Sequence, residues 1–292
     1  MKAAIAIASF AAAVSLPRSA TAPREVEIVG LDYAFRVPSE LPAGRTNFHF
    51  VNRGKVRHEF NIVLLKRGAT IQQFIAAANA DKPVEPMVDA TIGVLFAKPG
   101  AASPSALSTE LLAGRTYAIR CMFKDSATAP RHQALGMYSA IHVLAGTPVS
   151  SPPLRVDTIV GMDYAFRYSS AMSPGLHHLA FVNAGKQRHE VAVALLRKGV
   201  TPQKVYEVDK AGGDVEALFE QDLGVLHSPA GSSPVGLLRV DLLPGRTYMI
   251  ECGFSDTPKA KPHYELGMFG SIRVTGAAPA TVPAGPGRAP PG

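Results

Sequence analysis

Residues 50–65 read FVNRGKVRHEFNIVLL, and residues 181–196 read FVNAGKQRHEVAVALL. The second half of each stretch is a β-rich run entered through a glycine-containing turn. Side chains along a strand alternate between its faces, so His58 shares one face with Phe60, Ile62 and Leu64, and Arg57, Glu59 and Asn61 take the other. His189 likewise shares its face with Val191, Val193 and Leu195. Each stretch therefore sets a histidine at the end of an inward-facing apolar row.

The same offset governs the rest of the chain. GLDYAFR at 30–36 returns as GMDYAFR at 161–167, and LLAGRTYAIRC at 111–121 returns as LLPGRTYMIEC at 242–252. From 50 to 181, 30 to 161 and 111 to 242, the displacement is 131 residues throughout. About 40% of aligned positions match, which marks a tandem duplication. The first unit spans 24–145 and the second 155–275. The Pro/Ser stretch 146–154 reads as an extended linker, and the Pro/Gly/Ala-rich residues 276–292 read as a disordered tail.

Short β-rich runs dominate both units: EVEIVG, YAFRV, NFHFVN, RTYAIRC and SAIHVL in the first, separated by turns such as PAGR and LAGR. This punctuation predicts an all-β chain of two tandem β-sandwiches. One helical insertion is expected after each histidine-bearing strand, in TIQQFIAAANA and in TPQKVYEVDKAGG, whose proline suits a first helical turn. The remainder of each middle third reads as loop. On the RTYAIRC strand, Tyr117, Ile119 and Cys121 share a face, as do Tyr248, Ile250 and Cys252 in the repeat.

The two cysteines of the chain are followed at identical spacing by the same residues. CMFKDSATAPRHQALGM occupies 121–137 and CGFSDTPKAKPHYELGM occupies 252–268. The candidate ligands are thus His58, Cys121, His132 and Met137, then His189, Cys252, His263 and Met268. Two imidazoles, a thiolate and a weak thioether form the donor set that favours copper in an electron-transfer site. Structural zinc usually takes four strong ligands, and methionine is a poor one. Taken singly, each of these residues reads as ordinary core packing; their joint retention in two otherwise divergent copies argues for a metal. His49, His142, His177, His178 and His227 have no counterpart in the other unit and read as structural or surface residues. Asp32 and Asp163 read as strand-end turn residues without a catalytic role.

On NRGKVRHE, Cys121 and HQALGM, and on NAGKQRHE, Cys252 and HYELGM, the chain resembles the cupredoxins, the blue-copper proteins of the plastocyanin and azurin kind. The resemblance covers both units. It implies cupredoxin-like Greek-key β-sandwiches, one histidine from an early strand, and cysteine, histidine and methionine from the loop joining the last two strands. It also implies a type 1-like copper site in each unit and one-electron transfer or copper handling as the activity. Two features depart from the usual pattern. Ten residues separate cysteine from the second histidine where electron carriers have only a few, and Glu59 and Glu190 stand after the first histidine where those carriers often have asparagine.

Composition narrows the remaining classes. The 292-residue chain carries a formal charge of +7, but its basic residues form no run and are not interleaved with aromatics, which argues against a nucleic-acid groove. MKAAIAIASFAAAVSLPRSATAP, with one lysine, an apolar stretch and the small triplet Ala20-Thr21-Ala22, predicts a signal peptide over 1–22 and a secreted or periplasmic protein. No later stretch is long and apolar enough to span a bilayer. Multicopper oxidases and copper nitrite reductases need HxH or HCH strings, and the chain has neither, so a non-enzymatic protein is expected. Its partner would be a redox protein or a copper donor or acceptor. The competing reading is a copper-free binding or assembly module on the same scaffold.

Overall fold

The computed structural model describes residues 22–146, 151–232, 234–257 and 259–276. The expected signal segment up to residue 21, linker residues 147–150 and the tail from 277 onward lie outside the described residues.

The first unit runs β1 (Arg24–Leu31), β2 (Ala34–Arg36), β3 (Glu40–Leu41), β4 (Gly44–Asn52), β5 (His58–Leu65), α1 (Ile71–Asn79), β6 (Val88–Ala97), β7 (Ala102–Leu111), β8 (Thr116–Arg120) and β9 (Tyr138–Val143). The second repeats that order as β10 (Asp157–Met162), β11 (Ala165–Arg167), β12 (Ala171–Met172), β13 (Gly175–Asn183), β14 (His189–Leu196), α2 (Pro202–Lys210), β15 (Phe219–Ser228), β16 (Gly236–Leu242), β17 (Thr247–Glu251) and β18 (Phe269–Val274). In the first unit one sheet has the order β7-β4-β1-β2 and the other β6-β5-β8-β9-β3. Strand β1 pairs parallel with β4, and β5 lies antiparallel between β6 and β8. This is the two-sheet β-sandwich that the strand pattern predicts, in the Greek-key form that the resemblance implies, formed twice.

The helical insertions form where expected. Thr70 caps α1, its hydroxyl accepting from the Gln73 amide while the Gln73 side chain accepts from the Thr70 amide; this reciprocal pair satisfies two orphan donors of the first turn. Thr201 caps α2, with Pro202 in the first turn. Helix α1 covers the second face of β5. Phe74 and Ile75 pack on Val63 and Leu65, so every residue of β5, on both faces, is buried.

The middle thirds, read as loop, contain instead two of the longest strands of the first unit, β6 and β7. Their sequences VDATIGVLFA and ASPSALSTEL alternate poorly and carry Gly and Pro; tertiary pairing overrides that weak local signal. These strands also join the units. Strand β7 pairs antiparallel with β16 and β6 with β15, so both sheets continue across the whole molecule. Val94 faces Val225 and Leu107 faces Leu238. Each pair occupies the same repeat position in both units, which gives the join an approximate two-fold symmetry, as in an isologous dimer. The ion pairs Arg57–Glu216 at 2.7 Å and Arg188–Glu85 at 2.9 Å cross the join symmetrically.

Close approach at the join requires glycine. Gly93 and Gly224 have φ of 157° and 151°. A Cβ on Gly93 would lie 2.6 Å from Leu107 Cδ2 and 2.9 Å from the Val225 carbonyl; one on Gly224 would lie 2.6 Å from the Val94 carbonyl. The blocking atoms include backbone of the other unit, which cannot swing away. Gly224→Val is expected to cost about 2–3 kcal/mol through strain and overpacking, read as a lowered urea midpoint. An unchanged midpoint would contradict this packing.

Among the described residues no helix is long and apolar enough to cross a membrane.

Candidate metal centres

In each unit the two sheets bring four conserved-in-repeat residues to one pole of the sandwich. His58 opens β5, Cys121 directly follows β8, and His132 and Met137 lie in the segment between β8 and β9. All four are buried, none more than 1% exposed. His189, Cys252, His263 and Met268 repeat the arrangement with the same burial.

Local sequence explains how the first histidine is placed. The Asn52 side chain donates to the carbonyls of Val56 and Ala97, and its Oδ1 accepts from the Gly54 amide. The Asp32 carboxylate accepts from the Lys55 amide at 2.7 Å. The turn 52–57 is thereby pinned against β1, and Asp32 Oδ1 lies 3.5 Å from His58 Nε2, at the limit of a hydrogen bond. Asn183, Gly185, Lys186 and Asp163 repeat these contacts, with Asp163 3.4 Å from His189 Nε2. A Cβ on Gly54 would sit 2.4 Å from Asp32 Oδ1 and 2.9 Å from His58 Nε2. Gly54 thus keeps open the space in which carboxylate meets imidazole. Gly54→Ala is expected to displace His58 and weaken metal binding at the first site about tenfold or more, with the second site as internal reference in a metal titration.

The long segment between cysteine and the second histidine is closed at its neck. The His132 amide donates to the Phe123 carbonyl at 2.8 Å, and the Gln133 amide to the Cys121 carbonyl at 2.8 Å. The Cys121 amide donates to Met137 O, and the Met137 amide to His132 O. All four bonds recur in the second unit. The extra length lies beyond this neck, so it does not loosen the ligands. Glu59 tethers the cysteine segment: its Oε1 accepts from the Met122 amide at 2.9 Å, and Glu190 Oε1 accepts from the Gly253 amide at 3.1 Å.

The donor atoms converge. His58 Nδ1 and His132 Nδ1 are 3.0 Å apart, and Cys121 Sγ lies 3.9 Å from the first and 3.4 Å from the second. In the second unit the corresponding distances are 3.0, 3.8 and 3.4 Å. Bonds of about 2.0–2.1 Å to nitrogen and about 2.3 Å to sulfur allow such atoms to stand up to about 4 Å apart around one ion. Both triangles fall inside that limit. Met137 and Met268 are buried beside them, their methyl ends against Gly30 of β1 and Gly161 of β10.

The surroundings select the form of each donor. His132 Nε2 lies 3.0 Å from Asp125 Oδ1, and Asp125 accepts in turn from the Tyr33 hydroxyl at 2.6 Å. His263, Asp256 and Tyr164 form the same chain at 3.0 and 2.7 Å. The Tyr33 bond, then the His132 bond, holds Asp125 below the usual carboxylate range, so it remains an acceptor and keeps the proton on Nε2. That leaves the Nδ1 lone pair facing the site. Burial, then the neighbouring His132, pushes His58 down; burial also pushes His189 down. Burial pushes the Cys121 thiol up to about 12 and the Cys252 thiol up to about 11. Each sulfur also accepts one backbone N–H, from Glu59 or Glu190, at 3.4 Å.

Two imidazole nitrogens and a sulfur facing one another in a buried pocket form a set of donors that one metal ion can share. The two His-Cys-His groups fit type 1 copper sites. With the thiols protonated at neutral pH in the absence of metal, uptake of one divalent ion per site is expected to release about one proton from each cysteine. A calorimetric titration in buffers of different ionisation enthalpy reads that number; release near zero would show that the thiols are not ligands.

Sequence reasoning missed the supporting carboxylates. Asp125 and Asp256 recur at one repeat position, as do Tyr33 and Tyr164, and that recurrence was the available signal. Asp32 and Asp163, read as plain turn residues, reach the first histidine of each site. The histidines without counterparts stay apart from the donor groups: His177 pairs with Asp157 at 2.7 Å, His49 with Glu25 at 2.5 Å and His227 with Glu190 at 3.1 Å.

No family model and no curated protein matches the chain. Solved structures do. An auracyanin from the photosynthetic bacterium Roseiflexus castenholzii is 20% identical over 42% of this chain and 98% of its own, with a TM-score of 0.29. Auracyanin A, a "blue" copper protein from Chloroflexus aurantiacus, is 23% identical over 41% of this chain and 98% of its own, with a TM-score of 0.28. A multicopper oxidase is 15% identical over 89% of this chain and 91% of its own, with a TM-score of 0.25. Strand order and donor distances define a double two-sheet β-sandwich with one His-Cys-His group per unit.

Proposed function

We propose that the protein binds one copper ion per unit, through His58, Cys121 and His132 in the first and His189, Cys252 and His263 in the second, with Met137 and Met268 as weak fourth ligands. The observation that carries this reading is the three-donor triangle, formed twice with distances that agree to within 0.1 Å. Imidazole suits copper(II) and thiolate suits copper(I), so bound copper would supply one-electron exchange. The chain's part is to hold the donors still: Asp125 and Asp256 fix the imidazole tautomer, and the Glu59 and Glu190 tethers fix the cysteine segments.

The role this donor set supports is electron carrier or copper carrier. Among the described residues, the groups that bring three or more His, Cys, Asp or Glu donors together are these two, one in each unit. The partner is a redox protein or a copper donor or acceptor. Leu135 and Leu266, both 45% exposed, lie in the turns that carry the second histidines and offer such a partner an apolar contact. The N-terminal composition supports export, to the periplasm or outside the cell.

Titration of the metal-free protein with copper(II) tests the reading. Two ions per chain and an intense visible thiolate-to-copper band are expected. Absence of stoichiometric binding would leave the copper-free binding module as the function of the scaffold, and voltammetry on the loaded protein separates an electron carrier from a copper store.

A further inference from the structure

The two units differ at three neighbouring repeat positions, Arg120/Glu251, Phe74/Val205 and Ala78/Asp209, in a way that opens a cavity in the second. In the first unit the Arg120 guanidinium lies 4.8 Å over the Phe74 ring of α1, in the field of the Glu59 carboxylate. A cation therefore lies between α1 and the end of β8. The same position in the second unit is Glu251, and Val205 replaces Phe74. Ring and cation are both gone, and a cavity of about 180 Å³ stands in their place, several times the ~30 Å³ that a water occupies in the liquid.

The cavity is chemically two-sided. Val205, Met249 and the stacked rings of Tyr206 and Phe269, 5.7 Å apart and 14° from parallel, form an apolar wall. Asp209 and Glu251 supply carboxylates, and the Tyr264 hydroxyl donates to Asp209 Oδ2 at 2.8 Å, which orients it. Among the described residues the Glu251 carboxylate makes no hydrogen bond or ion pair, so no side chain of the protein replaces the lost arginine. At the position of Ala78 in the first unit, the second has Asp209. The change thus removes a built-in cation and adds two acids around an aromatic wall, the setting in which a cation gains from both carboxylate and π face.

We propose that this cavity of the second unit, between α2 and the β17–β18 face, binds a small organic cation, a guanidinium or primary ammonium on a short apolar stem, where the first unit places its own Arg120 side chain. The site is independent of the copper reading, because its walls are complete without the metal ligands.

Calorimetric titration of the full-length, metal-free protein with n-propylguanidinium chloride at pH 8 tests this, with sodium chloride at equal ionic strength as the blank. One saturable site per chain is expected. Glu251→Arg, which supplies the first unit's cation by tethering a guanidinium in the cavity, is expected to weaken binding at least about tenfold, and Asp209→Asn to do the same by removing the oriented carboxylate. The melting temperature of Glu251→Arg is expected to equal or exceed that of the parent. Absence of a saturable heat, or binding to both variants as tight as to the parent, would overturn the proposal. If Glu251→Arg does not fold, the Asp209→Asn comparison decides. Copper uptake, measured separately on the same samples, shows whether any failure is confined to this cavity.

Discussion

Cys121→Ser is expected to halve the copper bound per chain and to halve the intensity of the visible band, and Cys252→Ser to do the same from the other side. The double variant is expected to lose the band entirely. The physical reason is the division of labour among the donors. Each sulfur lies 3.4–3.9 Å from two imidazole nitrogens, with no other sulfur donor except a thioether. The thiolate would be the one strong, soft, anionic ligand of each group, and the band would arise from charge moving between it and the metal. Serine preserves the shape of the pocket but offers a hard hydroxyl whose proton is far more difficult to remove. Packing should survive, because Cys121 and Cys252 are small buried residues whose neighbours need little rearrangement. Unfolding in urea provides the control: a midpoint close to that of the parent with half the copper gone locates the loss at the ligand. Retention of two tightly held ions by Cys121→Ser would refute the thiolate as a ligand.

The second large effect belongs to a residue outside the donor triangle. Asp125→Ala is expected to weaken metal binding at the first site by about 10–100-fold and to leave the second site unchanged. Asp125 accepts from His132 Nε2 and from the Tyr33 hydroxyl, and it is half of a chain that holds the imidazole by its far side. Without the carboxylate, nothing on that side keeps the proton on Nε2, and the ring is free to protonate Nδ1 and turn its lone pair away. The Tyr33 ring, edge-on to His132 at 5.1 Å, preserves some of the orientation. Tyr33→Phe should therefore cost less than Asp125→Ala, since it removes one bond to the carboxylate and keeps the ring contact. Because the second site has its own Asp256 and Tyr164, each chain carries its own reference. Equal weakening of both sites would point to general destabilisation instead of a lost orienting contact.

Some parts of the site were legible in the residues because the duplication repeats them. His58, Cys121 and His132 stand at fixed spacing with His189, Cys252 and His263, and the structure brings each trio together. Other parts were hidden for identifiable reasons. Glu59 looked like a departure from the usual asparagine, yet a carboxylate is long enough to reach the Met122 amide and replace it. The ten-residue segment after each cysteine looked loose, but its ends are zipped by backbone bonds that no side chain advertises. Strands β6 and β7 looked like loop because glycine, proline and small polar residues weaken the alternating pattern; neighbouring strands on both sides supply the order.

Period-two patterning and turn residues are local properties, and a fixed 131-residue offset is read directly along the chain; together they determined the β class and pointed to two repeated units and a set of candidate donors. How the units meet is not local. The continuous sheets depend on Gly93 and Gly224 admitting a backbone from the other half, and on Leu107 meeting its own repeat, Leu238. The carboxylates behind the imidazoles depend on loops distant in the chain closing on one pole. Only the packed molecule decides these, because a contact between segments far apart in sequence is selected by shape and desolvation across the whole core, and that information is spread over residues with no pattern among themselves.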